Sequence, residues 1–85
     1  PETSYVAKLT AKGRKKIAQK LGEEGVETAI AAVAEDKAAL TGEAADLIFH
    51  LIVLLADAGL SLDDVRAELA RREGMSGIAE KASRG

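Results

Sequence analysis

Leu40-Thr-Gly-Glu-Ala-Ala-Asp-Leu-Ile-Phe-His-Leu-Ile-Val-Leu-Leu-Ala-Asp57 is the stretch that decides the fold. No part of it alternates as a strand does. At 100° per residue, with Leu40 at zero, Leu47, Ile48, Leu51, Leu54 and Leu55 fall between about −40° and +80°. Phe49 and Ile52 widen this apolar face. Glu43, Asp46, His50 and Asp57 gather between about 240° and 300°. The expectation is a largely buried helix with one narrow polar stripe. Carboxylates on such a helix are costly unless paired or bound to a cation.

Outward from this helix the chain punctuates itself. Asp36 is a candidate N-cap, and Gly59 sits where a helix ends after Ala58. Upstream, a helix is expected from Arg14 to Ala34. A short one is expected from Ser4 to Lys12, with Thr3 or Ser4 as cap and Gly13 as terminator. Downstream, Ser61-Leu-Asp-Asp64 resembles a capping box, opening a fourth helix to about Arg72 that Gly74 stops. Pro1 is the only proline. The fold class is all-α, a bundle of about four helices. Residues 1–74 are read as one domain and 75–85 as a polar tail without regular structure.

The chain has 85 residues, room for one domain with a limited core. It has no cysteine, so disulfides and thiolate zinc sites are excluded. Carboxylate-bound metal or oligomerisation is left as support. A net charge of −2 gives no reason to expect nucleic-acid binding. The apolar run from Leu47 to Ala56 is shorter than the roughly 20 residues a bilayer span needs. No membrane association is expected.

The charges are unevenly placed. Lys8, Lys12, Arg14, Lys15, Lys16 and Lys20 precede Glu23, Glu24 and Glu27. Glu24 and Glu27 are three apart, Glu23 and Glu27 four, and Glu43 and Asp46 three, all neighbours on helix faces. Residues 28–42 lie between the two acidic groups, a length that would bring them level in an antiparallel hairpin. Carboxylates facing one small space need a cation. Oxygen ligands select a hard one, of which Mg²⁺ keeps positions open for water and phosphate. The flanking lysines suit a polyphosphate. Solvated helix faces with i,i+4 pairs explain the same charges without chemistry. Gly22 and Gly25 serve either close approach or nothing in particular. Ile17 and Leu21 lie nearly opposite Val26, Ile30 and Val33, as on a helix whose neighbours change along its length.

Glu23-Glu24-x-x-Glu27 followed by Glu43-x-x-Asp46 resembles the all-α nucleoside-triphosphate pyrophosphatase superfamily, which includes MazG-like enzymes and dimeric dUTPases. More closely, Ser4-Tyr-Val-Ala-Lys-Leu9, Lys16-Ile-Ala-Gln-Lys-Leu-Gly-Glu-Glu24 and Glu43-Ala-Ala-Asp-Leu-Ile-Phe-His-Leu51 resemble the phosphoribosyl-ATP pyrophosphatase family, as does Glu80-Lys-Ala-Ser-Arg84. The resemblance implies hydrolysis of phosphoribosyl-ATP to phosphoribosyl-AMP and pyrophosphate, the second step of histidine biosynthesis. It implies Glu24, Glu27, Glu43 and Asp46 as Mg²⁺ ligands, and Glu23 as a further ligand or proton acceptor. Lys20 and Lys16 would meet phosphate oxygens. It also implies a cytoplasmic homodimer. The family usually carries an N-terminal helix before the Ser-Tyr segment, and this chain starts just before that segment. A house-cleaning pyrophosphatase for noncanonical nucleotides and a non-enzymatic dimerisation module are the alternatives. Among single residues, His50 reads as a satisfied core histidine or as a partner of Asp46. Tyr5 fills core or stacks on adenine. Asp57 reads as the end of the polar stripe, and Lys81 and Arg84 as tail residues that could close over phosphates.

Overall fold

A computed structural model describes residues 4–74, which form four α-helices: α1 (Tyr5–Lys12), α2 (Arg14–Ala34), α3 (Lys37–Asp57) and α4 (Leu62–Glu73). The tail expected at 75–85, with Lys81 and Arg84, lies outside the described residues. Each boundary has a local cause. Ser4 Oγ accepts from the Ala7 N–H at 3.0 Å and Asp36 Oδ1 from the Ala39 N–H at 2.8 Å. Asp64 accepts from the Ser61 N–H at 2.8 Å and from its hydroxyl at 3.2 Å. Past α3, Gly59 takes a φ of +78°, and the Leu60 N–H reaches back to the Leu55 carbonyl at 2.7 Å, a Schellman-type stop.

α2 and α3 pack as an antiparallel hairpin joined only by Glu35 and Asp36. α1 folds back on α2 at Gly13, whose φ is +94°. α4 buries no residue and touches the hairpin only sparsely. The apolar core is small, with Leu9, Ile17 and Val53 packed together, Leu54 against them, and Ala31 buried separately.

The orientation of α3 corrects the expectation of a largely buried helix. Only His50 and Val53 are buried on it, while Ile48, Phe49 and Ile52 are exposed. The residues of α3 placed against α2 include Glu43, Leu47, Val53, Leu54 and Asp57, while His50 meets Tyr5 of α1. Glu43, His50 and Asp57 of the polar stripe are therefore covered at least in part while Asp46 stays exposed, and Ile48, Phe49 and Ile52 of the apolar face look out. A single neighbouring helix covers only one side of α3. By length and composition alone α3 would also be long and apolar enough to cross a membrane, further than the Leu47–Ala56 run suggested.

Candidate metal centre between two helices

On α2 the buried residues are Ile17, Glu24 and Ala31, seven apart. That repeat sets which of the two adjacent glutamates turns inward. Glu23 and Glu24 are about 100° apart on the helix, so only one can enter the seam. Glu24 does, and is 7% exposed, while Glu23 stays outside. The Ile17-Glu24-Ala31 spacing was the available sequence signal for this choice.

Glu24, Glu27 and Glu43 converge, with one carboxylate oxygen from each lying within 4.8 Å of the others. Glu24 Oε1 is buried and has no hydrogen-bond partner. Its other oxygen is 4.0 Å from Lys20 Nζ. A buried, unpartnered carboxylate oxygen beside two further carboxylates is unfavourable unless something positive sits among them. The donor set, all oxygen, fits a hard divalent cation.

Electrostatics agree. Partial loss of water, then repulsion by Glu27 and Glu24 and by Asp46 beyond them, pushes the Glu43 carboxyl above the usual range. Asp46, one turn from Glu43, thus contributes charge, but its carboxylate is not one of the three converging groups. Glu23 takes a different position. It accepts from Gln19 Nε2 at 2.8 Å and Lys20 Nζ at 3.2 Å, and these bonds hold its carboxyl below the usual range. The same pairing raises Lys20. Lys16 forms no ion pair among the described residues.

The frame holding the carboxylates includes a residue that sequence reasoning passed over. Thr28 Oγ1 lies 2.7 Å from the Glu24 carbonyl and 3.1 Å from the Glu43 carbonyl. Its hydroxyl ties together the backbones of the two residues whose side chains meet. Its position one turn after Glu24 was the only hint. His50 is buried with both ring nitrogens partnered, by the Tyr5 hydroxyl and by the Asp46 carbonyl oxygen. It satisfies the core reading and meets Asp46 through backbone rather than carboxylate.

Comparison with known proteins gives the family. The family model described as phosphoribosyl-ATP pyrophosphohydrolase matches residues 1–73. The chain belongs to the phosphoribosyl-ATP pyrophosphohydrolase family. A phosphoribosyl-ATP pyrophosphatase of Rhizorhabdus wittichii is 70% identical over 84 residues, 99% of this chain and 79% of the relative. The enzyme of that name from Novosphingobium aromaticivorans is 69% identical, covering 99% and 78%. That of Sphingopyxis alaskensis is 66% identical over 83 residues, covering 98% and 76%. The converging carboxylates are thus the candidate centre of a pyrophosphohydrolase-family chain.

Proposed function

We propose that this chain hydrolyses phosphoribosyl-ATP to phosphoribosyl-AMP and pyrophosphate, with Mg²⁺ held by Glu24, Glu27 and Glu43 and completed by Asp46. The observation carrying the reading is the unpartnered Glu24 Oε1 inside the three-carboxylate cluster. A solvated acidic face, as a pure dimerisation module would have, gives no reason to bury such an oxygen. The names of the relatives favour phosphoribosyl-ATP over noncanonical nucleotides.

When bound, Mg²⁺ neutralises phosphate charge and lowers the pKa of a coordinated water. The chain's own residues do the remainder. Lys20 and Lys16 draw in the phosphate oxygens. As Lys20 turns from Glu23 to phosphate, Glu23 keeps the Gln19 bond, which lowers its carboxyl most, and loses the Lys20 bond, the second of the two that hold it down. Its affinity for a proton then rises, and it takes the proton of the attacking water. Glu23 also keeps Gln19 as a donor, which orients the accepting oxygen.

A second copy covers the outward apolar surface. Ile48 and Ile52 on α3 and Val26, Ile30 and Val33 on α2 are between 44% and 87% exposed in the single chain. Water-facing apolar side chains in that number mark an interface. The inward stripe of α3 carries Glu43 and His50, which argues for a helical partner rather than lipid. Residues 1–74 are the working domain. A cytoplasmic location follows from a nucleotide substrate too charged to cross a bilayer.

The test is pyrophosphate release from phosphoribosyl-ATP with Mg²⁺, comparing wild type with Glu24→Gln and Asp46→Asn. Each variant should lose at least about a hundredfold in rate, the scale on which losing one charge-stabilising contact is felt. No release by wild type, or release by both variants at its rate, overturns the reading.

A further inference from the structure

Beside the carboxylate cluster lies a groove of about 260 Å³ between α1 and α2. It is lined by Lys8, Lys12, Lys16 and Lys20 together with Tyr5 and Leu9. Within each helix the two lysines are four apart and share a face. The reversal at Gly13 turns the two faces toward one groove. Lys20 is tied to Glu23, but Lys8, Lys12 and Lys16 form no ion pair among the described residues. Ammonium groups lining one concavity repel each other, and an anion placed between them relieves that repulsion.

We infer that Lys8 and Lys12 of α1 join Lys16 and Lys20 of α2 to form a polyphosphate groove that receives the terminal pyrophosphoryl group of a nucleoside triphosphate. The inference rests on the proposed hydrolysis for the name of the nucleotide and for the phosphate contacts of Lys16 and Lys20, and it adds Lys8 and Lys12. Position supports it. Lys20 lines the groove and its Nζ is 4.0 Å from Glu24 Oε2, so a chain of phosphates in the groove would lie next to the carboxylate cluster. Charge supports it too. A phosphate monoester carries about −1.5 to −2 at neutral pH and leaves part of the lysine row uncompensated. A pyrophosphoryl group, with a second ionised phosphorus, matches it better. Lysine suits the task, being a flexible point charge that follows a mobile phosphate rather than clamping one geometry.

The phosphoribosyl end of the substrate also bears a phosphate, so the experiment separates the two sources. Inorganic pyrophosphate and ribose 5-phosphate are titrated without metal into wild type, Lys8→Gln/Lys12→Gln and Glu24→Gln, followed by amide shifts and calorimetry. Both lysines are exposed, and a thermal melt checks that the double variant is folded. Expected are shifts at Tyr5, Lys8, Leu9 and Lys12 with pyrophosphate, roughly tenfold weaker binding in the double lysine variant, and retained binding in Glu24→Gln. The pyrophosphate affinity of wild type should fall with salt more steeply than that of the double variant. Unchanged pyrophosphate affinity in the double variant overturns the groove, as does a selective loss of ribose 5-phosphate. Loss of pyrophosphate binding in a protein that hydrolyses no phosphoribosyl-ATP would leave the groove standing and remove the substrate.

Discussion

The phenolic hydroxyl of Tyr5 donates to Nε2 of His50 at 2.8 Å, joining α1 to α3 across 45 positions of sequence. The direction follows from the other ring nitrogen. Nδ1 lies 2.7 Å from the Asp46 carbonyl oxygen, which can only accept, so Nδ1 carries the proton and Nε2 is the acceptor. Edge-on contacts from the His50 ring to Tyr5 and Phe49 fix its plane. Tyr5→Phe keeps the ring and leaves the buried Nε2 unpaired. It should lower stability by about 1 kcal/mol in urea unfolding, within the range for a lost partner of a buried polar atom. An unchanged midpoint would show that water replaces the hydroxyl at no cost.

The carboxylate cluster should oppose folding until it is filled. Glu24→Gln should raise the stability of the metal-free protein by about 1 kcal/mol, because a neutral amide replaces a buried unpartnered charge. The same variant should lose the stabilisation by Mg²⁺, which for wild type reaches about 2.7 kcal/mol at a hundredfold excess over Kd. Thermal melts with and without Mg²⁺ measure both effects. A less stable metal-free variant would contradict the account of Glu24.

Two glycines should respond to alanine with opposite signs. At Gly22, inside α2, an added Cβ meets nothing within 4 Å, so Gly22→Ala should stabilise by about 0.5–1 kcal/mol through helix propensity. At Gly59 there is equal space, but φ is +78°, and Gly59→Ala should destabilise by about 1 kcal/mol. Calorimetric midpoints moving in the same direction would refute the comparison.

Arg14 closes the open end of the hairpin. Its Nε donates to Asp57 Oδ2 at 2.7 Å and its Nη2 to the Asp57 carbonyl at 3.0 Å. Arg14 is well exposed, so Asp57→Ala should cost only about 0.5 kcal/mol, and less in high salt. A loss several times larger would mean that the pair does more than tie two helix ends.

Carboxyl-detected NMR of the metal-free protein should separate two glutamates. Hydrogen bonds from Arg71 and then Arg72 hold Glu68 down to about 2. Its contribution to stability is complete above the usual 4.5 and fades as pH falls toward 2. Glu43, raised by desolvation and its acidic neighbours, binds a proton more readily folded than unfolded. Acidification through its raised value therefore favours the fold, and Mg²⁺ should bring its midpoint down. Coincident midpoints for the two residues would overturn both assignments.

Helix ends were legible because caps are local. Ser4, Asp36, Gly59 and the Ser61–Asp64 box each act within a few residues of themselves. The meeting of Glu24, Glu27 and Glu43 was legible from spacing of the same local kind. The facing of α3 was not. An angular count locates an apolar face but does not say whether α2 or something outside the chain covers it, and here α2 takes Glu43 and Asp57 from the polar stripe. Long-range polar pairs were equally hidden. Asp57 reads as the end of a stripe until the hairpin brings Arg14 beside it, 43 positions earlier. Tyr5 and His50 carry no mark of their pairing, and Thr28 is an ordinary mid-helix threonine until Glu43 arrives opposite.

The Thr28 hydroxyl bears on ion size. Because it spans the carbonyls of Glu24 and Glu43, the distance between the α2 and α3 backbones is set at the level where their carboxylates meet. A cluster gauged in this way resists dilation, which suits a small cation with short, strict bonds and disfavours a larger, more tolerant one. Thr28→Val, which keeps the shape and removes the donor, would therefore be expected to blunt discrimination between Mg²⁺ and Ca²⁺ without altering a single carboxylate.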